Sequence, residues 1–472
     1  MGSRIDLKEE EVFYSENFVR DIGQRGLSEE KEMKFRRLFV LLFVLVLAIS
    51  ACVPEPVEEV EPTAEEETME PTEEETMQAT EEETMEATEE EVSEEGSLPA
   101  ACQEDEKGCA VIPSGETVKI GMGAPLLGDY SMFGIDISQG VALALQSDDG
   151  FEGWSYELVA EDTGGLAEGG AAVANKMVTD PTVVAIAGHI FTASTDAAIP
   201  VYEKAGLPMM SPSATNPQLT QKGSSVFNRL AFTDADQGKT AAELMFNQLG
   251  LTKIAVMHDG GSYGQGLADV VQEEFEALGG DVVAYEGITP GEVDYVAPLS
   301  AVAAAEPEAV FFGGYAAEAI VMVNQWSQAG LDGVLFFGCD GTFGVEFTDK
   351  TGPNGESAIA ASLVPPDSEE KTLFDEAYGD AFPTEAGELS AFTWSAFDTG
   401  GVLIDAIEKV AFVENDMLYV PRAQLVNAVR NSDFVGLTGL IKCDDIGECN
   451  ASGPTFYKVE DGAWVPLALS ND

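Results

Sequence analysis

Val183-Val184-Ala185-Ile186-Ala187-Gly188-His189-Ile190-Phe191-Thr192-Ala193-Ser194-Thr195 holds the fold in miniature. Five small or β-branched apolar residues make a run the length of a buried strand. Gly188 opens a turn, and helical spacing starts by Ser194. The pattern recurs on both sides. Upstream lie an apolar run at 118–122, a Gly-rich loop, helical spacing over 135–145, a strand-like run at 157–160 and a helix over 168–178. Downstream lie a helix over 194–204 and strands at 208–211 and 226–230. A second series places strands at 254–258, 281–286, 309–313 and 334–338, with helices over 267–277, 295–305 and 318–328. Strands alternating with helices of this length imply βαβ units and parallel sheets; two series imply two doubly wound α/β lobes. Ligands in such folds sit outside the carboxyl ends of the strands, so two facing lobes make a cleft.

The rest of the chain sets the context. Its 472 residues are 45% hydrophobic and carry a formal charge of −62. Such a surface repels phosphate backbones and anionic head groups, which argues against a nucleic-acid partner. Residues 1–32 form a polar N-terminal extension; Met33 then precedes Lys34, Arg36 and Arg37, and an apolar run fills 38–49. That run is too short for a span of ~20 residues and reads as a signal-peptide core over 33–52, with translation expected to start at Met33. Ile49-Ser50-Ala51-Cys52 resembles the bacterial lipobox, which makes Cys52 a lipidated mature N-terminus; an uncleaved anchor helix is the alternative. Residues 53–98 hold 20 Glu and no Lys or Arg, in recurring Glu-Glu-Glu-Thr-Met units. Such a tract is expected to be an extended acidic tether, about 40 Å long even without self-repulsion. Removing its charge leaves −62 + 20 = −42 on the remainder.

Six cysteines fit an exported protein. Beyond Cys52, the spacings of Cys102 with Cys109 and of Cys443 with Cys449 fit two small disulfide loops. The acidic stretch Asp444-Asp445-Ile446-Gly447-Glu448 leaves a Ca²⁺ loop as the other reading of the second pair. Cys339 is expected to be a buried thiol.

From residue 118 to about 470 the chain resembles the branched-chain amino acid (leucine/isoleucine/valine) binding proteins of ABC importers, with the type I periplasmic-binding-protein fold. The resemblance rests on Gly123-Ala124-Pro125-Leu126 with Phe133-Gly134, the 188–195 turn, Ser211-Pro212-Ser213-Ala214-Thr215, His258-Asp259 with Tyr263-Gly264-Gln265-Gly266, Phe312-Gly313-Gly314-Tyr315, and Phe392-Thr393-Trp394. It implies a first lobe of 99–235 plus 364–436 and a second of 236–363 plus 437–472. It also implies three chain crossings, near 233–237, 362–366 and 436–438.

An α-amino acid zwitterion needs donors for its carboxylate, an anion for its ammonium and apolar walls for its side chain. Amides at a helix N-terminus suit the carboxylate; the resemblance assigns Thr192 to it, with Ile190 and Phe191 alongside. An ordinary helix cap is the plain alternative. For the ammonium, the resemblance points to Ser213, Ala214 and Thr215 and to Asp340, where these binders commonly carry Glu. Asp340-Gly341 also reads as a simple turn dipeptide. Tyr263 and Tyr315 match aromatics that close from the second lobe. Phe133, Phe191, Phe392 and Trp394 would line the side-chain pocket. The partners implied are an apolar amino acid and an ABC permease with its ATPase subunits, for a monomer outside the cytoplasm held to the cell membrane by lipid alone, without metal or cofactor.

Rival patterns are weaker. Gly260-Gly261-Ser262-Tyr263-Gly264 satisfies G-x-S-x-G, but only His189 and His258 exist and neither lies downstream, where that triad order needs its base. Gly121-Met122-Gly123 has Leu126 at the third glycine position of a dinucleotide fingerprint. H-E-x-x-H and Walker A patterns do not occur. A ligand sensor on the same fold remains the second reading.

Overall fold

The computed structural model describes residues 98–383, 390–449 and 453–468, so the expected signal segment, Cys52 and the acidic tether lie outside the described residues. From Pro99 onward these residues belong to one compact unit. After a short helix, Ala100–Glu104, the chain lays down β1 (Cys109–Pro113), β2 (Val118–Ala124), β3 (Tyr156–Asp162), β4 (Val183–Ala187), β5 (Met209–Ser211) and β6 (Phe227–Arg229). The last five form a parallel sheet of order β3-β2-β4-β5-β6. A second sheet takes β7 (Lys253–His258), β8 (Asp281–Gly287), β9 (Ala309–Gly313), β10 (Leu335–Gly338) and β11 (Ile359–Ser362), again parallel, in the order β11-β10-β9-β7-β8.

Side-chain alternation explains why helices cover both faces of the second sheet. Phe312 and Phe336 point into a core with Leu299, Met322 and Phe347, while their neighbours Phe311 and Phe337 point into the opposite one with Leu267, Val271 and Phe275. The expected helix over 318–328 is broken into Ala316–Asn324 and Trp326–Ala329. At the break the Gln325 side chain leaves the helix surface to accept from Tyr295 N at 2.7 Å and donate to Val293 O at 2.9 Å.

The chain enters the second lobe at the helix Asp234–Glu243, opened by a capping box from Thr233 and Asp236. It returns after β11, where the helices Glu369–Ala381 and Thr393–Val410 pack on Ser131–Ser147 of the first lobe. There β12 (Phe412–Glu414) and β13 (Met417–Pro421) pair, and β13 also takes β1 antiparallel.

The third crossing departs from expectation. Residues 436–438 are the turn of a hairpin between β14 (Asp433–Gly436) and β15 (Gly439–Lys442). The buried Asp398 carboxylate pins this turn, accepting from Leu437 N and Thr438 N at 2.8 Å and Thr438 Oγ1 at 2.6 Å. The chain then stays with the first lobe. Arg229 N donates to Gly447 O at 2.8 Å and Cys449 N to Arg229 O at 3.0 Å, which lays the 443–449 loop along β6. Passage to the second lobe falls after Cys449, where β16 (Thr455–Glu460) and β17 (Ala463–Pro466) extend the second sheet antiparallel to β11. The lobe boundary set at 436/437 therefore moves to the stretch between Cys449 and Thr455.

Replacing Asp398 by alanine would orphan three donors at once, so Asp398→Ala should lower stability by about 3 kcal/mol, read as a fall in the urea midpoint at unchanged slope.

Disulfides join Cys102 to Cys109 and Cys443 to Cys449, and Cys339 is a free buried thiol. In the second loop Asp444 Oδ1 accepts from the amides of Ile446 and Glu448, and Glu448 turns toward Arg229. Asp444 thus serves the loop itself and Glu448 the guanidinium, and no cluster of three metal-ligating side chains occurs among the described residues. Among the described residues no helix is long and apolar enough to cross a membrane.

Candidate functional site

Strand ends from both sheets meet at a cavity. After β4 come Ile190, Phe191 and Thr192; after β5, Ser213 and Thr215; after β7, Tyr263; after β9, Tyr315; after β10, Asp340 and Gly341. Phe133 and Ile137 of the helix Ser131–Ser147, and Phe392 at the start of Thr393–Val410, complete the lining. Gly134 lets that first helix approach: a Cβ there would stand 1.8 Å from Pro125 O.

Thr192 is the first residue of the helix Thr192–Ala205, and no side chain caps that helix. The hydroxyls that could do so point elsewhere: Ser194 Oγ donates to Phe191 O at 3.0 Å and Thr195 Oγ1 to His189 O at 2.9 Å. Amides of the first turn thus have no side-chain cap, and a helix start of this kind can accept an anion. The neighbouring turn is tied to this one. Ser211 Oγ donates to His189 O at 2.7 Å and Ser213 Oγ to Ile190 O at 2.8 Å.

Asp340 is the carboxyl that lines the same cavity. It is buried, and Oδ1 accepts from Tyr263 Oη and Gln237 Nε2, while its own amide donates to Gln237 Oε1 at 3.0 Å. Burial raises its pKa above the ordinary value, against the lowering effect of those hydrogen bonds. Asp234, one helical turn before Gln237, is a second buried carboxyl. Burial first, and then the nearby Asp340, push its pKa well above the usual range. Thr215 lies close enough to moderate that rise, although neither Asp234 oxygen nor Thr215 Oγ1 makes a hydrogen bond of ordinary geometry among the described residues. Two buried carboxyls thus stand near each other, with the Thr215 hydroxyl close by.

The apolar end is aromatic. Phe191 stacks on Tyr315 across the lobes, with centroids 4.4 Å apart and planes 10° from parallel. Tyr130 and Phe133 from the first lobe approach the same Tyr315 ring at 5.1 and 6.0 Å, and Tyr263 from the second at 5.2 Å. Two polar contacts also span the lobes: Tyr130 Oη donates to Glu318 Oε1 at 3.0 Å and Asn216 Nδ2 to Ser262 O at 2.7 Å.

Of the residues expected at the site, Ala214 and Trp394 do not line the cavity. Ala214 is buried beneath it, and its carbonyl accepts from Arg229 Nη1 at 3.1 Å. Trp394 faces away, with Nε1 donating to Asp375 at 2.8 Å and Lys371 over its ring. Ile137, Gln237 and Asp234 escaped the sequence reading. Ile137 was readable, lying four residues after Phe133 on one helix face; the others gave no local signal. As for the G-x-S-x-G stretch, His258 Nδ1 accepts from Gly260 N at 3.0 Å, committing that nitrogen to the turn.

The chain matches the family model of the periplasmic binding proteins over residues 117–461. It is 30% identical over 347 residues to the leucine-, isoleucine-, valine-, threonine- and alanine-binding protein of Pseudomonas aeruginosa, covering 73% of this chain and 90% of that one. A crystal structure of a leucine-binding protein from Thermotoga maritima superposes with a TM-score of 0.67 at 27% identity, covering 75% of this chain and 98% of that one. The branched-chain amino acid transporter substrate-binding protein of Streptococcus pneumoniae, in complex with isoleucine, gives 0.65 at 26%, covering 74% and 97%. Two facing sheets, a cleft at their strand ends and a match over the whole two-lobed unit lead to one conclusion: the chain belongs to the periplasmic binding protein family, among relatives of the branched-chain amino acid binders.

Proposed function

We propose that the cleft captures a free α-amino acid with an apolar side chain and hands it to an ABC permease in the membrane. One observation carries this reading: a single cavity joins an uncapped helix N-terminus to the buried carboxylate of Asp340, with Ile137, Ile190, Phe191 and Phe392 between them. A zwitterion matches both poles, and an aliphatic side chain matches the wall. The relatives' stated ligands, leucine, isoleucine and valine among them, support the same class.

Thr192 and the amides beside it take the carboxylate; Thr215, the Ser213 backbone and Asp340 take the ammonium. Hinge closure then brings Tyr263 and Tyr315 over the ligand. No bond is made or broken, and preferential affinity for the closed form drives the shift. Lipid on Cys52 would hold the module at the outer face of the cell membrane. Calorimetry on residues 99–472 against the twenty amino acids tests the reading; saturable binding of one or more apolar amino acids is expected, and no binding by any of them would end it. Neighbouring permease genes would favour import over sensing.

The raised carboxyls give the binding a pH dependence. Both Asp340 and Asp234 hold protons to higher pH than ordinary carboxyls do, and an arriving ammonium favours their ionised forms. The bound site therefore holds fewer protons than the free one. Affinity should fall as pH drops from neutrality through the raised carboxyl range, and binding there should release protons to the buffer. Tyr263, Gln237 and Arg229 surround the pair, and the guanidinium lowers the Asp234 pKa in both states. Calorimetry in buffers of different ionisation enthalpy reads the proton count directly; proton uptake, or none, would refute the assignment.

A further inference from the structure

Behind the cavity, a chain of hydrogen bonds connects the second disulfide loop to the turn assigned to the ammonium. Arg229, at the end of β6, has a fully buried side chain. Its Nη1 donates to Ala214 O at 3.1 Å and to Asn216 O at 2.7 Å, bracketing Thr215 from behind. On its other side Nε donates to Glu448 Oε2 at 3.0 Å and Nη2 to Glu448 Oε1. Thr220 Oγ1, which itself accepts from Arg229 Nη2 at 3.3 Å, also donates to that Glu448 oxygen.

Glu448 is the last residue before Cys449 and lies inside the loop closed by Cys443 and Cys449. Asp444 Oδ1 accepts the Glu448 amide at 2.9 Å, and the loop backbone is bonded to Arg229 on both sides. A planar guanidinium held in a two-point grip has little freedom to rotate. Its two carbonyl contacts therefore fix the height at which residues 214–216 present Thr215 to the cavity.

We propose that Glu448 and Arg229 are positioning residues for amino-acid binding, and that the Cys443–Cys449 disulfide acts through them to set the Ser213–Thr215 turn. The proposal rests on the functional reading above, since it takes that turn to be the ammonium's. Opening the loop by Cys443→Ser/Cys449→Ser lets Glu448 move off the guanidinium. Arg229 then keeps its side-chain bonds to Ala214 O, Asn216 O and Thr220 Oγ1 but loses the carboxylate that fixes its plane, and the turn drifts. Outer-layer partners of this sort typically change affinity by about ten- to a hundredfold.

The Cys102–Cys109 disulfide supplies the control, being a loop of similar size on the same lobe with no bond to either cleft turn among the described residues. The test measures L-leucine affinity by calorimetry, and melting temperature, in four proteins: the wild type, Cys443→Ser/Cys449→Ser, Glu448→Gln, and Cys102→Ser/Cys109→Ser. The first two variants should each lose about tenfold or more in affinity, and the third should stay within about twofold of wild type even if its melting temperature falls. Combining Glu448→Gln with the opened loop should lose no more than the worse of the two, because both act on one chain of contacts. Equal losses from the two disulfides, unchanged affinity on opening the 443–449 loop, or fully additive losses would each overturn the proposal. If the wild type fails to bind L-leucine, the amino acid it does bind replaces it as probe; if none binds, the functional reading itself fails, a result distinct from these.

Discussion

Asp340→Ala should weaken amino-acid binding by about a hundredfold or more, and it should do so without destabilising the protein. The two halves of this expectation have one cause. Loss of one member of a desolvated charge pair typically costs about 2–5 kcal/mol, much of it from the partner left buried and unpaired, here the ligand's ammonium. In the free protein the same carboxyl is a burden: it is buried, its pKa is raised, and it lies near a second buried carboxyl, Asp234. Removing it relieves that crowding at the expense of the bonds from Tyr263 and Gln237. Titration of the variant with the wild type's ligand, beside its melting curve, tests both halves. Undiminished affinity would take Asp340 out of the ammonium site. Asp340→Glu, which keeps the carboxylate and lengthens its stem by one methylene, should bind within about tenfold of wild type.

Tyr315→Ala is the second large effect, and it acts through closure. The ring belongs to the second lobe, yet three of its aromatic neighbours, Tyr130, Phe133 and Phe191, belong to the first. Aromatic pairs contribute about 0.5–1.5 kcal/mol each beyond the area they bury. Losing the Phe191 stack and its flanking contacts should therefore cost about 2 kcal/mol of closure, roughly thirtyfold in affinity. Small-angle scattering should then show less compaction at a given ligand concentration than in the wild type. Tyr315→Phe keeps the ring and should restore both. Normal compaction in Tyr315→Ala would mean that the lobes do not depend on this contact.

How much of this was legible in the sequence depends on the reach of each interaction. The strand, turn and helix from Val183 onward are a local matter of apolar runs and helix starts, and β4 and β9 fall where the pattern put them. Asp340, Tyr263 and Tyr315 were legible as residues ending strands, through the resemblance. Gln237 and Asp340 are 103 positions apart, and Arg229 and Glu448 are 219 apart. No periodicity links such pairs; only the folded chain brings them together. The crossing at 436–438 was misplaced for a related reason. A Gly-Leu-Thr-Gly stretch reads equally well as a passage between lobes or as a hairpin turn, and the deciding contact comes from Asp398 on a distant helix.

The strand β1 pairs with β13 along its full length, and Asp105 before it accepts from the amides of Ala423 and Gln424, so the module's entry point is built into the first lobe. A load entering at Pro99 is therefore delivered first to that lobe. A load applied at Pro99, as in a pulling experiment from that point, would be borne first by β1 and β13 in shear.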